Sequence, residues 1–174
     1  MTKVFITSNM QLGRQSAIGK WKRPFANVDS MTDQLIKNWN EAVGDFDTVY
    51  HLGNFAWDPK TAYDSILKLK GKTIFMIVGE NDQPILDLQK KGTLPGKVKI
   101  ISPNTIIDTL KISVNYWPIQ EWPKKSKKYF SVIGYPNRKY KTIPKKRIIN
   151  CSVEQCNYKP QDINSLIELL KEIT

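Results

Sequence analysis

The chain has 174 residues, 40% of them hydrophobic and 25% charged, with a formal net charge of +11 at pH 7. This length can bury one core of ordinary size, which predicts a single domain over residues 1–174. There is no apolar run near the ~20 residues that cross a bilayer and no signal-peptide pattern, so we expect a cytoplasmic protein without a membrane partner. The two cysteines, Cys151 and Cys156, match no zinc or disulfide pattern and are expected to be reduced and packed.

The positive charge is concentrated in one part of the sequence. Residues 124–147 contain ten basic side chains and no acidic ones, so this segment accounts for ten of the eleven net charges. We call residues 124–147 the basic segment. Such a segment is a candidate for binding an acidic partner.

The first half alternates predicted strands and helices. The predicted strands are 3–8, 47–52 and 73–78, and the predicted helices are 28–43 and 58–69. Asp29 or Ser30 is expected to cap the first helix, and Asp58 followed by Pro59 is typical of the start of the second. This alternation predicts parallel strands joined by helical crossovers.

The second half is richer in short β segments. The predicted strands are 98–101, 105–109, 111–114, 129–133 and 147–151. A last helix over 160–173 would bury Ile163, Leu166, Ile167 and Leu170, which follow helical spacing. We therefore expect a second, antiparallel or mixed sheet, and an α/β domain with its sheets sandwiched between helices.

Six stretches, in this order and spacing, resemble the calcineurin-like metallophosphoesterases, specifically the small bacterial and phage type. They are TSNMQLGR (7–14), RPF (23–25), IKNWN (36–40), DTVYHLGNFA (47–56), MIVGEND (76–82) and NYKP (157–160). The resemblance implies a calcineurin-like phosphoesterase sandwich of two mixed β-sheets flanked by helices. If the chain is encoded by a phage, its location would be the host cytoplasm.

In that family, aspartates and histidines from five motifs hold two divalent metals that activate a water for phosphoester hydrolysis. The resemblance places other residues at these positions: Asn9, Gln11, Asn54, Glu80, Asn81, Tyr116, Tyr135 and Asn137. Amides in place of carboxylates remove the charge that offsets paired cations, and Arg14 adds a positive charge nearby. The resemblance thus implies a pseudoenzyme with no catalytic residue, metal or cofactor.

Two residues could still suggest catalysis. His51 is the single histidine of the chain, and we expect it to be a structural residue of its strand. Glu80 is the one carboxylate expected at the former ligand shell, and alone it cannot hold a metal pair.

The basic segment suggests what a non-catalytic protein would bind. The candidate patch comprises Trp122, Lys124, Lys125, Lys127, Lys128, Tyr129, Arg138, Lys139, Tyr140, Lys141, Lys145, Lys146 and Arg147. In the family the loop at 134–137 faces the cleft, so several of these charges are expected at the cleft mouth. Cations with aromatics suit single-stranded nucleic acid, and the same surface suits an acidic protein.

Three alternatives stay open at this point. The segment could be a solvated lysine-rich hairpin with its aromatics in the core. The cleft could retain phosphoesterase activity through Glu80, Asp82, Arg14 and Tyr116. It could also capture a nucleotide without cleaving it, with Arg14 binding the phosphate.

Overall fold

The computed structural model describes residues 2–136 and 140–172. Within these residues the strands are β1 (Val4–Thr7), β2 (Thr48–His51), β3 (Thr73–Met76), β4 (Val98–Ile100), β5 (Thr105–Ile107), β6 (Ile112–Asn115), β7 (Phe130–Ile133), β8 (Ile148–Asn150) and β9 (Gln161–Asp162). The α-helices are α1 (Ser16–Trp21), α2 (Val28–Ala42), α3 (Pro59–Lys68), α4 (Gln83–Lys90) and α5 (Ile163–Glu172). The fold is α/β, with two mixed sheets flanked by helices.

The first sheet has the strand order β4-β3-β2-β1-β9. Strands β1 to β3 are parallel, as the alternating pattern predicted. Strand β4 was expected in the second sheet, but it extends the first sheet parallel to β3, and β9 is antiparallel to β1. The predicted last helix begins too early, because Gln161 and Asp162 pair with β1 before α5 starts. Ile163 and Ile167 are buried as expected, whereas the side chain of Leu170 lies outside the described set.

One face of the first sheet packs against α2, α3 and α4. Phe5, Val49 and Ile74 of the sheet share a buried cluster with residues such as Trp39 and Ile66 of these helices. The apolar positions of α2 recur every four residues and therefore form one stripe along the helix. Burial of this stripe determines which face of α2 packs against the sheet.

The helix starts follow local capping chemistry. Asp58 caps α3 by accepting the backbone N–H of Thr61 at 2.8 Å, as predicted. The cap of α2 is Asn27, not Asp29 or Ser30: Asn27 accepts the N–H of Ser30, and the Ser30 hydroxyl accepts the N–H of Asn27. The prediction was wrong because such a reciprocal capping box begins upstream of the apolar stripe.

The second sheet has the order β5-β6-β7-β8, with β5 antiparallel to β6 and the other neighbours parallel. Its inner face, including Val114, Val132 and Ile149, packs against Ile6 and Leu52 of the first sheet. The crossovers from β6 to β7 and from β7 to β8 contain short 3-10 helices, Lys125–Lys127 and Pro144–Lys146, among their described residues. The basic segment therefore belongs largely to these two crossovers.

The two sheets approach each other closely at Gly134, just after β7. The Ser8 hydroxyl donates to the Gly134 carbonyl oxygen at 2.8 Å. A Cβ on Gly134 would lie 2.0 Å from the Leu52 carbonyl oxygen, so only glycine fits here. This contact places the loops of the second sheet beside the loops that follow β1 and β2.

Both cysteines are free, and Cys151 is fully buried in the core, as expected. Across the described ranges, no helix combines the length and the apolar character that crossing a membrane requires.

Candidate functional site

The carboxyl edge of the first sheet gathers the polar residues singled out by the resemblance. Asn9 follows β1, and Asn54 follows β2, while backbone hydrogen bonds from Asn9 to Gly53 and from Gln11 to Asn54 join the two loops. Asn9, Gln11 and Asn54 are all at most 1% exposed, and their φ angles of 58°, 55° and 60° lie in the left-handed region. Asparagine is among the residues that tolerate this conformation best, which helps these tight loops form.

The side chains in these loops form a continuous hydrogen-bond network. The Asn9 Oδ1 accepts from Gln11 Nε2 at 3.0 Å and from Asn54 Nδ2 at 3.3 Å. Asn54 Nδ2 also donates to the Tyr116 hydroxyl at 2.8 Å. We call Asn9, Gln11, Asn54 and Tyr116 the polar cluster. The structure therefore brings together four of the residues predicted from the sequence.

Two further predicted residues border the polar cluster. Asn81 donates its backbone N–H to Asn54 Oδ1 at 3.0 Å. Glu80 is exposed and accepts a 2.8 Å hydrogen bond from the Tyr116 hydroxyl. Burial, together with this carboxylate, raises the pKa of Tyr116 well above its usual range, so the phenol is a neutral donor. Asn137, another predicted position, lies outside the described residues.

A buried ion pair, which the sequence did not reveal, lies against the polar cluster. The Arg23 Nη2 and the Glu154 Oε1 are 2.6 Å apart, and the two side chains are 0% and 3% exposed. Asn9 Nδ2 donates to both carboxylate oxygens of Glu154 at 3.0 Å. Arg23 Nη1 also donates to the Met10 carbonyl at 2.7 Å. The Glu154 carboxylate is thus paired with Arg23 and also accepts hydrogen bonds from the Asn9 amide.

Arg23 and Glu154 differ in how far the sequence could have revealed them. Arg23 stood in one of the recognised stretches without a role. Glu154 follows β8 and is separated from Asn9 by most of the sequence. It comes into contact with Asn9 because the neighbouring Val153 donates its N–H to the Ser8 carbonyl. Only the folded arrangement of β1 and β8 could place it here.

The Asp82 carboxylate binds backbone N–H groups, one of them that of Asn54 in the polar cluster. It accepts the backbone N–H groups of Asn54, Phe55 and Gly79 at 2.6, 2.7 and 2.8 Å. Burial raises the pKa of Asp82, while these three N–H groups act in the opposite direction. Asp82 therefore holds the loop after β2 against the loop after β3.

Arg14, the predicted anion-binding residue, is tied into the same region. Its Nη1 donates to Gln11 Oε1 and its Nε to the Ser16 hydroxyl, both at 3.0 Å. The guanidinium carbon lies 4.2 Å from the centroid of the Trp57 ring. Two of its three nitrogens are thus engaged within the chain.

The residues at this edge do not fit a pair of divalent metals. Asn9 and Asn54 direct N–H donors into the cluster, and Glu154 is already paired. His51 is completely buried and packs edge-on against Phe55, with 5.2 Å between ring centroids. In the described part of the chain, no three His, Cys, Asp or Glu side chains are grouped so that they could hold a metal ion.

A second candidate site lies on the outer face of the second sheet. A cleft of about 770 Å³ opens between the two crossovers, over Ile133 and Ile148. We call it the basic cleft, because its lining includes Lys125, Lys141, Lys145, Lys146 and Arg147. Its lining and the polar cluster have no residue in common. These charges therefore line a cleft that shares no residue with the polar cluster, and their expected position at the mouth of the first site stays a prediction.

Few carboxylates offset the charge of the basic cleft. Glu121 pairs with Lys125 at 2.5 Å. Outside the cleft lining, Asp108 pairs with Lys124. Among the described residues, no carboxylate lies within ion-pair distance of the four remaining basic lining side chains, which are Lys141, Lys145, Lys146 and Arg147. Lys127 and Lys128 are exposed, and Arg138 and Lys139 lie outside the described residues.

The aromatic residues of the predicted patch divide into two groups. Trp122 and Tyr129 are only 6% and 9% exposed, and Trp122 Nε1 donates to the Tyr129 carbonyl at 3.0 Å. Both side chains are thus buried, which corrects the prediction that Tyr129 presents binding surface, whereas Trp122 also lines the basic cleft. Tyr140 is 44% exposed and lines the basic cleft.

Tyr140 continues into a row of rings that leads toward the polar cluster. The Tyr135 centroid lies 5.7 Å from that of Tyr140 and 5.1 Å from that of Trp117, which is 48% exposed. We call Trp117, Tyr135 and Tyr140 the aromatic row. Tyr135 also lies 5.7 Å from Tyr116, so the row borders both candidate sites.

Comparison with known proteins finds similar chains, but these are proteins of unknown function. No family model matches the chain. It is 28% identical over 177 residues to the uncharacterized protein MJ1445 of Methanocaldococcus jannaschii, covering 99% of this chain and 93% of that protein. A crystal structure of AQ665 from Aquifex aeolicus, a protein of unknown function, superposes with a TM-score of 0.70 at 17% identity and covers 97% of this chain and 100% of that one. That likeness supports the fold alone.

Proposed function

We propose that this chain is a calcineurin-like phosphoesterase fold without a metal pair, a pseudoenzyme that works as a binding module. Its partner would be a cellular or host protein, or a nucleic acid, recognised through the basic segment. The observation that carries the proposal is the network of amide hydrogen bonds in the polar cluster. The resemblance of the sequence motifs supplies the family, and the two mixed sheets are compatible with it.

The network opposes a metal for an electrostatic reason. Divalent cations need oxygen or imidazole lone pairs, and paired cations need several negative charges to offset their own. Here the Asn9 Oδ1 is already shared by two amide donors, and the Asn9 Nδ2 holds the Glu154 carboxylate. A cation would have to break these bonds and compete with the Arg23 guanidinium.

The first test is metal content together with turnover. Protein purified without chelator should contain no stoichiometric metal by elemental analysis. It should hydrolyse bis-p-nitrophenyl phosphate no faster than the buffer, with or without added manganese. Stoichiometric manganese or nickel, or turnover that is lost in Asn54→Ala, would refute the proposal.

Nucleotide capture at Arg14 is a second candidate, favoured by the exposed ring beside it. Trp57 is 49% exposed and stacks on the Arg14 guanidinium, so a base and a phosphate could be bound side by side. Calorimetry with a panel of nucleotides should then give heat that is absent in Arg14→Gln. No heat from the unmodified protein would remove this candidate.

A further inference from the structure

We propose that the basic cleft and the aromatic row together bind single-stranded nucleic acid. Phosphates would contact the cleft lysines, and bases would stack on the exposed rings of the row. This inference names the ligand class for the binding role proposed above and rests on that role.

The charge of the cleft supplies the first argument. Lys141, Lys145 and Lys146 are exposed lining residues from the crossover between β7 and β8, and Arg147 adds a partly buried guanidinium. The Arg147 Nη2 donates to the Lys125 carbonyl at 3.1 Å, which fixes the guanidinium within the cleft lining. Clustered cations of this kind gain affinity for a phosphate backbone through the release of bound counterions.

The aromatic row supplies the second argument. Large exposed rings normally cost hydration free energy, and here two of them, Trp117 and Tyr140, flank the partly buried Tyr135 at the rim of a cationic cleft. Bases stack on such rings whatever their sequence, because every base has a π face. The combination of stacking surface and cations is the usual composition of a single-strand site.

The same combination disfavours the other polyanions. A duplex keeps its bases stacked on one another, so it offers the lysines its phosphates and leaves the rings unused. An acidic peptide likewise offers mainly carboxylates. The cleft volume of about 770 Å³ lies within the range that holds a small organic ligand, so a longer strand would continue over the row.

Binding is measured by fluorescence anisotropy with a labelled oligodeoxythymidylate and oligouridylate of ~12 nucleotides, a length that covers a typical site. Affinity should fall as salt rises from about 50 to 200 mM, with a slope of roughly −0.7 per phosphate contact. A triple variant, Lys141→Ala/Lys145→Ala/Lys146→Ala, should bind at least roughly tenfold more weakly, and its salt slope should be smaller by about two.

A matched variant controls for net charge. Lys68→Ala/Lys90→Ala/Lys91→Ala removes the same charge from exposed positions at the ends of α3 and α4. Its affinity should stay within about twofold of the unmodified protein, because charges beyond about one Debye length are screened. Equal weakening by both triple variants would show a general charge effect and overturn the proposed site.

The rings are tested separately from the charges. Trp117→Ala and Tyr140→Ala should each weaken single-strand binding about tenfold, because the loss of base stacking on one ring lowers affinity by about that factor. The salt slope of binding should not change in either variant. Phe46→Ala is the control, because Phe46 is a 75% exposed ring outside the cleft and the row. Unchanged affinity in both ring variants would overturn the stacking assignment.

Competition decides between ligand classes. Single strands should bind more tightly than a duplex of equal length, and polyglutamate should displace them only weakly. Equal binding of the duplex, preferential binding of polyglutamate or no binding of either oligonucleotide would each refute this inference. A negative result here, in protein free of metal and turnover, rejects the nucleic-acid ligand while the pseudoenzyme proposal stands; metal or turnover rejects the pseudoenzyme instead.

Discussion

At the scale of single residues, Asn9 shows most clearly how an amide shapes this site. Its Nδ2 donates to both oxygens of Glu154 at 3.0 Å, inside a region where both side chains are nearly inaccessible to water. An aspartate has almost the same shape but cannot donate in its ionised form. The identity of residue 9 therefore determines whether Glu154 faces a donor or a second negative charge.

The variant Asn9→Asp should be strongly destabilised at neutral pH. It places two carboxylates in direct contact, and we expect the free energy of unfolding to fall by about 3 kcal/mol. Urea denaturation at pH 7 and at pH 5 measures the effect. The loss should be smaller at pH 5, because a carboxyl that is raised in pKa by a like charge takes up a proton and donates again.

The control for this change is Asn164→Asp, the same substitution at an exposed position of α5. It should alter stability by no more than about 0.5 kcal/mol. If Asn9→Asp were equally mild, the contact between Asn9 and Glu154 would not exist as described.

His51 should make the protein less stable as the solution is acidified. Burial lowers the pKa of His51 from 6.5 to about 3 in the folded protein, whereas the unfolded chain keeps the ordinary value. Below pH 6.5 the unfolded chain binds a proton that the folded chain does not, so the stability that is complete above pH 6.5 falls as the pH drops toward 3. The loss approaches about 1.4 kcal/mol per pH unit.

The measurement compares His51→Leu with the unmodified protein, so that other titrating groups cancel. Between pH 7 and pH 5 the unmodified protein should lose about 2 kcal/mol more than the variant. Leucine suits the site because His51 lies in register between Thr7 and Met76 and packs on Phe55. Parallel pH profiles would mean that the imidazole is charged or hydrated in the folded state.

At the scale of elements, sequence patterns predicted the strands better than the sites between them. Strands β2 and β3 follow from their β-branched and aromatic residues. Helix α4 was not predicted, although Pro84 lies in its first turn. Asp82, at its cap position, makes no cap hydrogen bond, because its side chain accepts the N–H groups of Asn54 and Phe55 after β2 and of Gly79 after β3.

The sites were predicted incompletely because local sequence patterns do not encode long-range contacts. Asn9, Gln11 and Asn54 follow strands whose ends meet at one sheet edge, so a parallel-sheet argument brings them together. Glu154 comes from the second sheet and the basic cleft from two irregular crossovers, and neither position follows from periodicity. Pairing of β1 with the residues after β8 is a long-range feature that no local pattern encodes.

The contact between the two sheets at Gly134 can be tested with one methyl group. Gly134→Ala would place its Cβ 2.0 Å from the Leu52 carbonyl oxygen, so the end of β7 must move away from β2. We expect a loss of about 2 kcal/mol or more in unfolding free energy. Gly19→Ala is the control: nothing lies within 4 Å of a Cβ at this position in α1, and alanine should stabilise the helix by roughly 0.5–1 kcal/mol.

The structural consequence of Gly134→Ala should extend to the aromatic row. Tyr135 is the next residue and contacts both Tyr116 and Trp117. Near-ultraviolet circular dichroism should therefore change in Gly134→Ala and remain unchanged in Gly19→Ala. A stable Gly134→Ala with an unaltered aromatic spectrum would contradict the described approach of the sheets.

At the scale of the whole molecule, the two candidate sites have opposite electrostatic character. The polar cluster is built from neutral amides and one internally paired carboxylate, whereas most of the net charge of the chain lies in the basic segment. A cation should therefore find little to bind at the first site, and an anion should be attracted to the second. Metal binding and anion binding can therefore be tested independently of each other.

Thermal unfolding should consequently be indifferent to divalent metal. A ligand present at 100 times its Kd stabilises the folded state by about 2.7 kcal/mol. For a chain of this size that would raise the Tm by roughly 5–10 °C. We expect the same Tm in EDTA and in millimolar manganese, with potassium chloride of equal ionic strength as the control for screening of the basic segment. A saturable rise with manganese that disappears in Glu80→Gln would place a cation beside the exposed Glu80 carboxylate, which accepts the hydrogen bond of the Tyr116 hydroxyl.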